Sequence, residues 1–201
     1  MKAFPRLFLI FGLFAAPALN ADTVADLTPK AEAGDLVSQV ELGNIYSKGE
    51  GVAKNEKEAV KWFSKAAEQG NLDAQMYLGG VYIRGKGIPK DSRESAKWYL
   101  MAAEQGNAAA QCQISRMHMM GAGVPKDDVE AYKWANLASA KGDTAAKKVL
   151  MILEKRMMPD QISLAQGLGR EFMELKKLDA PGGDAPTVEP IPPQALEPEG
   201  N

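Results

Sequence analysis

The sequence predicts an all-α fold: an α-solenoid of about three 36-residue helix-hairpin repeats, a partial fourth repeat and a C-terminal capping helix. The first observation is self-similarity at a period of 36 residues, marked once per repeat by Trp62, Trp98 and Trp134. Three glycine series mark the same period: Gly34, Gly70, Gly106 and Gly142; Gly49, Gly85 and Gly121; and Gly51, Gly87 and Gly123. The second observation is an apolar stripe at helical spacing within each repeat, which one hairpin cannot bury alone. Neighbouring hairpins must therefore stack.

Each repeat is predicted to contain two helices, and the repeats are placed at about 31–66, 67–102 and 103–138, with a partial repeat at 139–157. The second helix of each repeat follows Asn55, Asp91 or Asp127, whose side chains can accept hydrogen bonds from the first turn. Acids three residues further on, at Glu58, Glu94 and Glu130, predict a reciprocal capping box. Asn71 and Asn107 are predicted to cap the first helices of the next repeats.

The predicted array becomes irregular towards both of its ends. In the third repeat Ser115 replaces Gly79 and His118 replaces Tyr82, so the sequence does not establish how the helices of this repeat pack. Pro159 suits the first position of a helix and predicts a capping helix at 159–177. Residues 22–30 are expected to form an irregular N-terminal cap.

The two ends of the chain are predicted to lie outside the folded domain, which spans 22–177. Residues 1–21 read as a signal peptide, with basic Lys2 and Arg6, an apolar centre and cleavage after Ala21 or Ala18. An uncleaved single-pass anchor is the alternative; after cleavage no membrane span is expected. Residues 178–201 contain six prolines, five acids and no base, a composition that predicts a disordered acidic tail.

The repeated residues resemble the Sel-one-like repeat family, a relative of the tetratricopeptide repeats. The resemblance lies in the pattern AxxGxxxAQxxLGxxYxxGxGVxKDxxxAxxWxxKA, which is most complete from Ala67 to Ala102. Some members of that family carry a cysteine pair in each repeat, and a β-lactamase or penicillin-binding activity has been attributed to them. The chain has a single cysteine, Cys112, and no Ser-x-x-Lys, so this activity is not carried over.

Composition and motifs predict no catalytic residue, no cofactor and no metal site, and therefore no enzyme. One histidine and one cysteine exclude the multi-ligand zinc sites, and the near-balanced charge argues against a nucleic-acid partner. Gly80 to Lys86 imitates a phosphate loop, but Gly87 stands where a magnesium ligand is needed. The tryptophans and Gly-x-Gly elements are predicted to serve core packing and turns.

If the array has the shape of tetratricopeptide repeats, the first helices line a concave groove that binds a protein or peptide, and the basic rim of this groove favours an acidic partner. The predicted partner-binding residues are Lys48, Met76, Ile83, Arg84, Arg116, Met119, Met120 and Lys148. Further groove positions are Val37, Val40, Asn44, Ser47, Asp73, Gly80, Ala109, Cys112, Lys155 and Arg156. Adaptable methionines suit peptide binding, whereas the alternative is that these charges only solvate an exposed face.

The sequence therefore predicts a non-catalytic interaction adaptor or scaffold, placed in a bacterial periplasm or, alternatively, secreted. Two other functions stay open: an enzyme acting on cell-wall or small substrates with a site assembled across repeats, and a secreted factor that binds a host protein. The acidic tail is expected to visit the basic groove as a weak, salt-sensitive competitor. The sequence predicts neither the partner nor the oligomeric state.

Overall fold

The structure is a computed structural model that describes the backbone of residues 21–178 and the side chains of residues 23–177. All but the first residue of the predicted tail and all but the last residue of the predicted signal peptide lie outside the described residues. Within that part of the chain there are nine helices and no strand. They are α1 Ala21–Glu32, α2 Leu36–Lys48, α3 Glu56–Glu68, α4 Leu72–Arg84, α5 Ser92–Glu104, α6 Ala108–Met120, α7 Asp128–Ala140, α8 Thr144–Glu154 and α9 Pro159–Leu178. The predicted all-α solenoid is confirmed.

The helices alternate between two types, first helices (α2, α4, α6 and α8) and second helices (α3, α5 and α7). A first helix begins after Asp35, Asn71, Asn107 or Asp143, whose side chain accepts a hydrogen bond from the backbone three residues later. Gly49, Gly85 and Gly121 end α2, α4 and α6 in the left-handed conformation that glycine adopts without strain. These caps explain why three first helices have the same length.

The second helices begin as predicted, but the prediction of a reciprocal capping box is wrong. The side chains of Asn55, Asp91 and Asp127 accept hydrogen bonds from the first turn. The backbone N–H of each capping residue, however, donates to the carbonyl of residue 46, 82 or 118 at 2.9–3.1 Å. Since that N–H is already used, the glutamates three residues on are free to pair with lysines.

The N-terminal segment is helical, so the expected irregular cap at 22–30 is wrong. α1 lies 36 residues before α3 and occupies the place of a second helix. Val24, Leu27 and Ala31 pack with Leu42 and Trp62, and the Ala31 carbonyl accepts a hydrogen bond from the Gln39 side chain at 2.9 Å. The equivalent glutamines, Gln75 and Gln111, make the same bond to Ala67 and Ala103.

The hydrophobic core runs through the array as a series of clusters between neighbouring helices. The three tryptophans are 2–3% exposed, which confirms their predicted packing role. Consecutive helices from α1 to α8 contact one another, with further contacts between α6 and α8 and between α7 and α9. Trp134 meets Phe172 of α9 edge-on at 5.2 Å between ring centroids. The capping helix therefore closes the array by packing across α7.

Candidate partner-binding face

The outward sides of α2, α4, α6 and α8 form one candidate site, which we call the first-helix face. All eight predicted partner-binding residues lie on these four helices: Lys48, Met76, Ile83, Arg84, Arg116, Met119, Met120 and Lys148. Arg84, Arg116 and Lys148 are exposed, and Met120 is 58% exposed. Lys48 is also exposed but lies 3.5 Å from the Glu50 carboxylate. The repeat spacing thus places these side chains on corresponding helices of successive hairpins.

Three of the predicted apolar residues offer only part of their surface to a partner. Met76 and Ile83 pack against the cluster that contains Tyr99 and Ile114, and Met119 packs against the cluster of α7 and α8. Each is half-buried, because the neighbouring repeat covers one side of its helix. These residues can form the floor of a contact surface, whereas Met120 can project into a partner.

Two of the wider set of groove positions are buried. Gly80 is covered by Arg84, whose guanidinium nitrogen lies 3.0 Å from where a Cβ would stand. Cys112 is 5% exposed and packs with Ala108, Ala138 and Ala146. Burial raises the pKa of the Cys112 thiol, and the nearby Asp143 carboxylate raises it further. Cys112 therefore fills a small apolar space, as its equivalence to Val40 and Met76 suggests.

Arg84 lies beside a half-buried polar group, the Tyr77 hydroxyl of α4. The Tyr77 hydroxyl donates a hydrogen bond to the Glu56 carboxylate. Burial, this bond and the negative charge of Glu56 raise the pKa of Tyr77, while Ser47 and Arg84 act in the opposite direction. The tyrosine is therefore neutral near pH 7, and the net charge presented here comes from Arg84.

Several exposed apolar residues of this face lie outside the eight predicted partner-binding residues, although Val37 was among the further groove positions. Val37 is 71% exposed, and a cleft of about 320 Å³ beside it is lined by Leu36, Val37, Val40, Glu41, Asn44 and Asn71. Met151 and Ile152 on α8 are 60% and 50% exposed. Ile152 could have been found from the sequence, since it lies 36 residues after Arg116. Met151 could not, because its exposure depends on where the array ends.

The second helices present a chemically different surface. Lys61, Lys97 and Lys133 each lie over the tryptophan that follows in the chain, at 4.7–5.0 Å from its ring centroid. The same lysines pair with Glu58, Glu94 and Glu130 at 3.6, 3.8 and 2.6 Å. Large apolar side chains that are exposed occur on α2, α6, α8, α9 and the turn before α9, but on none of α3, α5 and α7. Charge on the second helices is thus largely paired and their apolar surface is covered.

The described residues contain no cluster of three or more His, Cys, Asp or Glu side chains that could hold a metal ion. Among the same residues, no helix combines the length and the apolar character needed to cross a membrane.

A stacked array of helical hairpins with an uncovered face on its first helices defines the class of helical-repeat interaction scaffolds. A family model for the Sel1 repeat matches residues 36–71, 72–107 and 108–143. The chain belongs to the Sel1 repeat family. Each matched unit begins with a first helix and includes the second helix that follows it.

Solved structures of this family share the fold. The chain is 40% identical to a Sel1 repeat protein from Oxalobacter formigenes, with a TM-score of 0.56 over 64% of this chain and 97% of that one. It is 32% identical to c5321, a protective antigen of uropathogenic Escherichia coli strains, with a TM-score of 0.64 over 86% of this chain and 38% of that one.

A curated relative is the secretory immunoglobulin A-binding protein EsiB of Escherichia coli O6:H1 strain CFT073. It is 38% identical over 57 residues, which cover 28% of this chain and 12% of EsiB. The chain therefore spans only a small part of this relative.

Proposed function

We propose that this protein is a non-catalytic adaptor that binds a segment of another protein along its first-helix face. The observation that carries the proposal is the difference between the two helix types. Three of the four first helices expose large apolar side chains on this face, Val37 on α2, Met120 on α6 and Ile152 on α8, while α3, α5 and α7 expose none. Exposed apolar residues grouped on one face are typical of interaction sites.

Charge on the same face favours an acidic partner. Arg84, Arg116 and Lys148 are exposed, and none of them takes part in an ion pair among the described residues. Such cations raise the rate of association with an acidic segment, and the adaptable methionines contribute contact area once it has arrived. The partner class that fits is a protein segment that combines acids with apolar side chains.

The experiment compares reversal of charge on the two faces. The test variant is Arg84→Glu with Arg116→Glu, and the matched control is Lys57→Glu with Arg93→Glu on α3 and α5, where both residues are exposed. Proteins retained by wild type and by the control should be lost from the test variant in affinity capture at low salt. Retention of the same proteins by all three forms would show that the first-helix face does not bind them.

We further propose that the adaptor acts after export, in the periplasm. Support comes from the predicted signal peptide and from similarity to an immunoglobulin-binding protein and a protective antigen. Cell fractionation with intact mass measurement tests this, since the mature chain should begin at Asp22 or at Leu19. Recovery of a membrane-bound species that retains Met1 would contradict it.

The similarity to EsiB favours one second candidate, a secreted factor that binds a host protein. Fractionation separates the two candidates, because an adaptor of the periplasm stays with the cells and a secreted factor accumulates in the medium.

A further inference from the structure

The last first helix, α8, has an uncovered side because no second helix packs against it in the way that α7 packs against α6. In α6 the corresponding side is covered: Gln111 and Ser115 are 1% and 0% exposed. The residues 36 positions later are Lys147 and Met151, and both are exposed. α9 does not take the place of that second helix, since its main contacts are with α7. The array therefore ends in an open side, which we call the open-end patch and define as Lys147, Lys148, Met151, Ile152, Lys155 and Met158.

The open-end patch combines apolar surface with unpaired positive charge. Met151, Ile152 and Met158 are 60%, 50% and 68% exposed. None of the ion pairs among the described residues includes one of the three lysines. Glu154, the acid of α8, accepts a hydrogen bond from the Tyr132 hydroxyl at 3.3 Å and so faces α7. Two copies meeting through this patch would bring like charges together, which opposes a symmetric dimer here.

The C-terminal segment of the same chain has the complementary chemistry. Residues 188–199 contain three acids, Glu189, Glu197 and Glu199, no base, and the apolar residues Val188, Ile191 and Leu196. Acids interleaved with apolar side chains match lysines interleaved with methionines and isoleucine. Four prolines in this stretch restrict the backbone before binding, which lowers the entropy lost when it docks.

The length of the chain allows this contact. α9 starts directly after Met158 of the patch and has 20 residues, so its end lies about 30 Å away at about 1.5 Å per residue. An extended chain spans about 3.3 Å per residue, so about nine residues suffice for the return. The length of the segment after Leu178 therefore allows it to return to the patch by about Val188, where its apolar residues begin.

We propose that residues 188–199 dock on the open-end patch of their own chain. Tethering supplies an effective concentration of about 1 mM, so a contact that is weak between separate molecules is occupied within one molecule. This contact covers the exposed methionines and pairs the three lysines. The proposal does not rest on the adaptor function, because the contact lies within one chain. The patch shares Lys148 and Lys155 with the predicted groove positions, and Met151 and Ile152 with the exposed apolar residues of α8 described above.

The test places a spin label on the segment and measures which methyl groups it broadens. The chain from Asp22 to Asn201 carries Ala195→Cys with Cys112→Val, and the methionine and isoleucine methyl groups are observed by NMR. The Met151, Ile152 and Met158 signals should broaden at low salt and recover near 1 M salt, where the Debye length falls to about 3 Å. Met101, half-buried on α5, should not broaden.

A matched pair of charge variants establishes the site. Lys148→Glu with Lys155→Glu should reduce the broadening at least threefold, while Lys57→Glu with Lys86→Glu, both exposed elsewhere, should leave it unchanged. Circular dichroism on each variant confirms that it is folded. Absence of selective broadening at low salt, or broadening that survives the test pair, overturns the proposal. Broadening seen only between a labelled chain and a separate isotope-enriched chain also overturns it, because the occupant is then a second copy.

Discussion

The second and third repeats differ at the place where their two helices meet. In the second, Gly79 of α4 faces Tyr99 of α5, and a Cβ on Gly79 would lie 2.7 Å from the ring. In the third, Ser115 and Ala135 occupy the corresponding positions. The Tyr99 ring leaves room only for glycine at position 79. The small Ala135 leaves room for serine at position 115. The two helices therefore pack closely in both repeats, because a larger side chain on one helix faces a smaller one on the other.

The serine that forms a hydrogen bond across this junction lies on different helices in the two repeats. In the second repeat Ser95 of α5 donates to the Gly79 carbonyl at 2.8 Å, whereas in the third Ser115 of α6 donates to the Ala131 carbonyl at 2.6 Å. In each of these two repeats, one buried serine thus donates a hydrogen bond to the backbone of the opposite helix. The comparison teaches that a departure from the repeat pattern at one position is compensated by a second departure on the facing helix.

The largest expected effect of a substitution concerns the second repeat. Trp98→Ala should lower the free energy of unfolding by about 3–5 kcal/mol, because the ring joins Phe63 and Leu78 in the cluster between the first and second repeats. Chemical denaturation measures it. Trp98→Phe is the control and should cost less, since the buried Trp98 Nε1 has no hydrogen-bond partner among the described residues. A midpoint for Trp98→Ala close to that of wild type would show that the cluster does not depend on the ring.

A medium effect is expected when the second repeat is given the side chain of the third. Gly79→Ser should cost about 1–3 kcal/mol, because the new Cβ overlaps the Tyr99 ring. Combined with Tyr99→Ala, the same change should cost less than the sum of the two single changes, and thermal melts of all four forms give the coupling energy. Strict additivity would mean that the exchange of volume across the junction is coincidental.

The smallest effect concerns the polar contact between repeats. The side-chain amides of Gln69 and Gln105 donate to Gln39 and Gln75 at 2.7 Å. The same amides also donate to the Gly34 and Gly70 carbonyls. At the third position Lys141 keeps only the bond to the equivalent Gly106 carbonyl, and the Gln111 Oε1 is buried without a partner among the described residues. Lys141→Gln should therefore raise stability by about 0.5–1.5 kcal/mol in a thermal melt. The reciprocal change, Gln105→Lys, should lower it. An unchanged or lower melting temperature for Lys141→Gln would show that the lysine already satisfies Gln111.

Much of the fold could be predicted from the sequence because its signals are local and repeat. The caps at Asn71 and Asn107 act within one turn of the residues they bond, and the tryptophans recur at a fixed spacing. The helical nature of α1 was missed because it carries no tryptophan and contains Pro29, although Val24, Leu27 and Ala31 have helical spacing. The capping box failed because the competing carbonyls of residues 46, 82 and 118 come from the preceding helix.

The candidate site could be predicted only in outline. The period assigns Arg84 and Met120 to corresponding positions, and both are exposed. How far Met76 or Ile83 is buried depends on the next repeat, which the spacing alone does not give. The exposure of Met151 follows from the direction that α9 takes after Pro159, a long-range packing choice.

The contacts between consecutive helices have a consequence for how such a protein can change over generations. Among the described residues, almost every interface joins helices that are adjacent in the chain or one repeat apart. Gain of a 36-residue segment by recombination adds one set of interfaces, and loss of a segment removes one set. The other interfaces stay as they were. The c5321 structure, of which this chain covers only 38%, has the same fold in a longer protein. Array length is therefore a trait that selection can adjust by genetic copying, while the surface residues of each copy diverge separately.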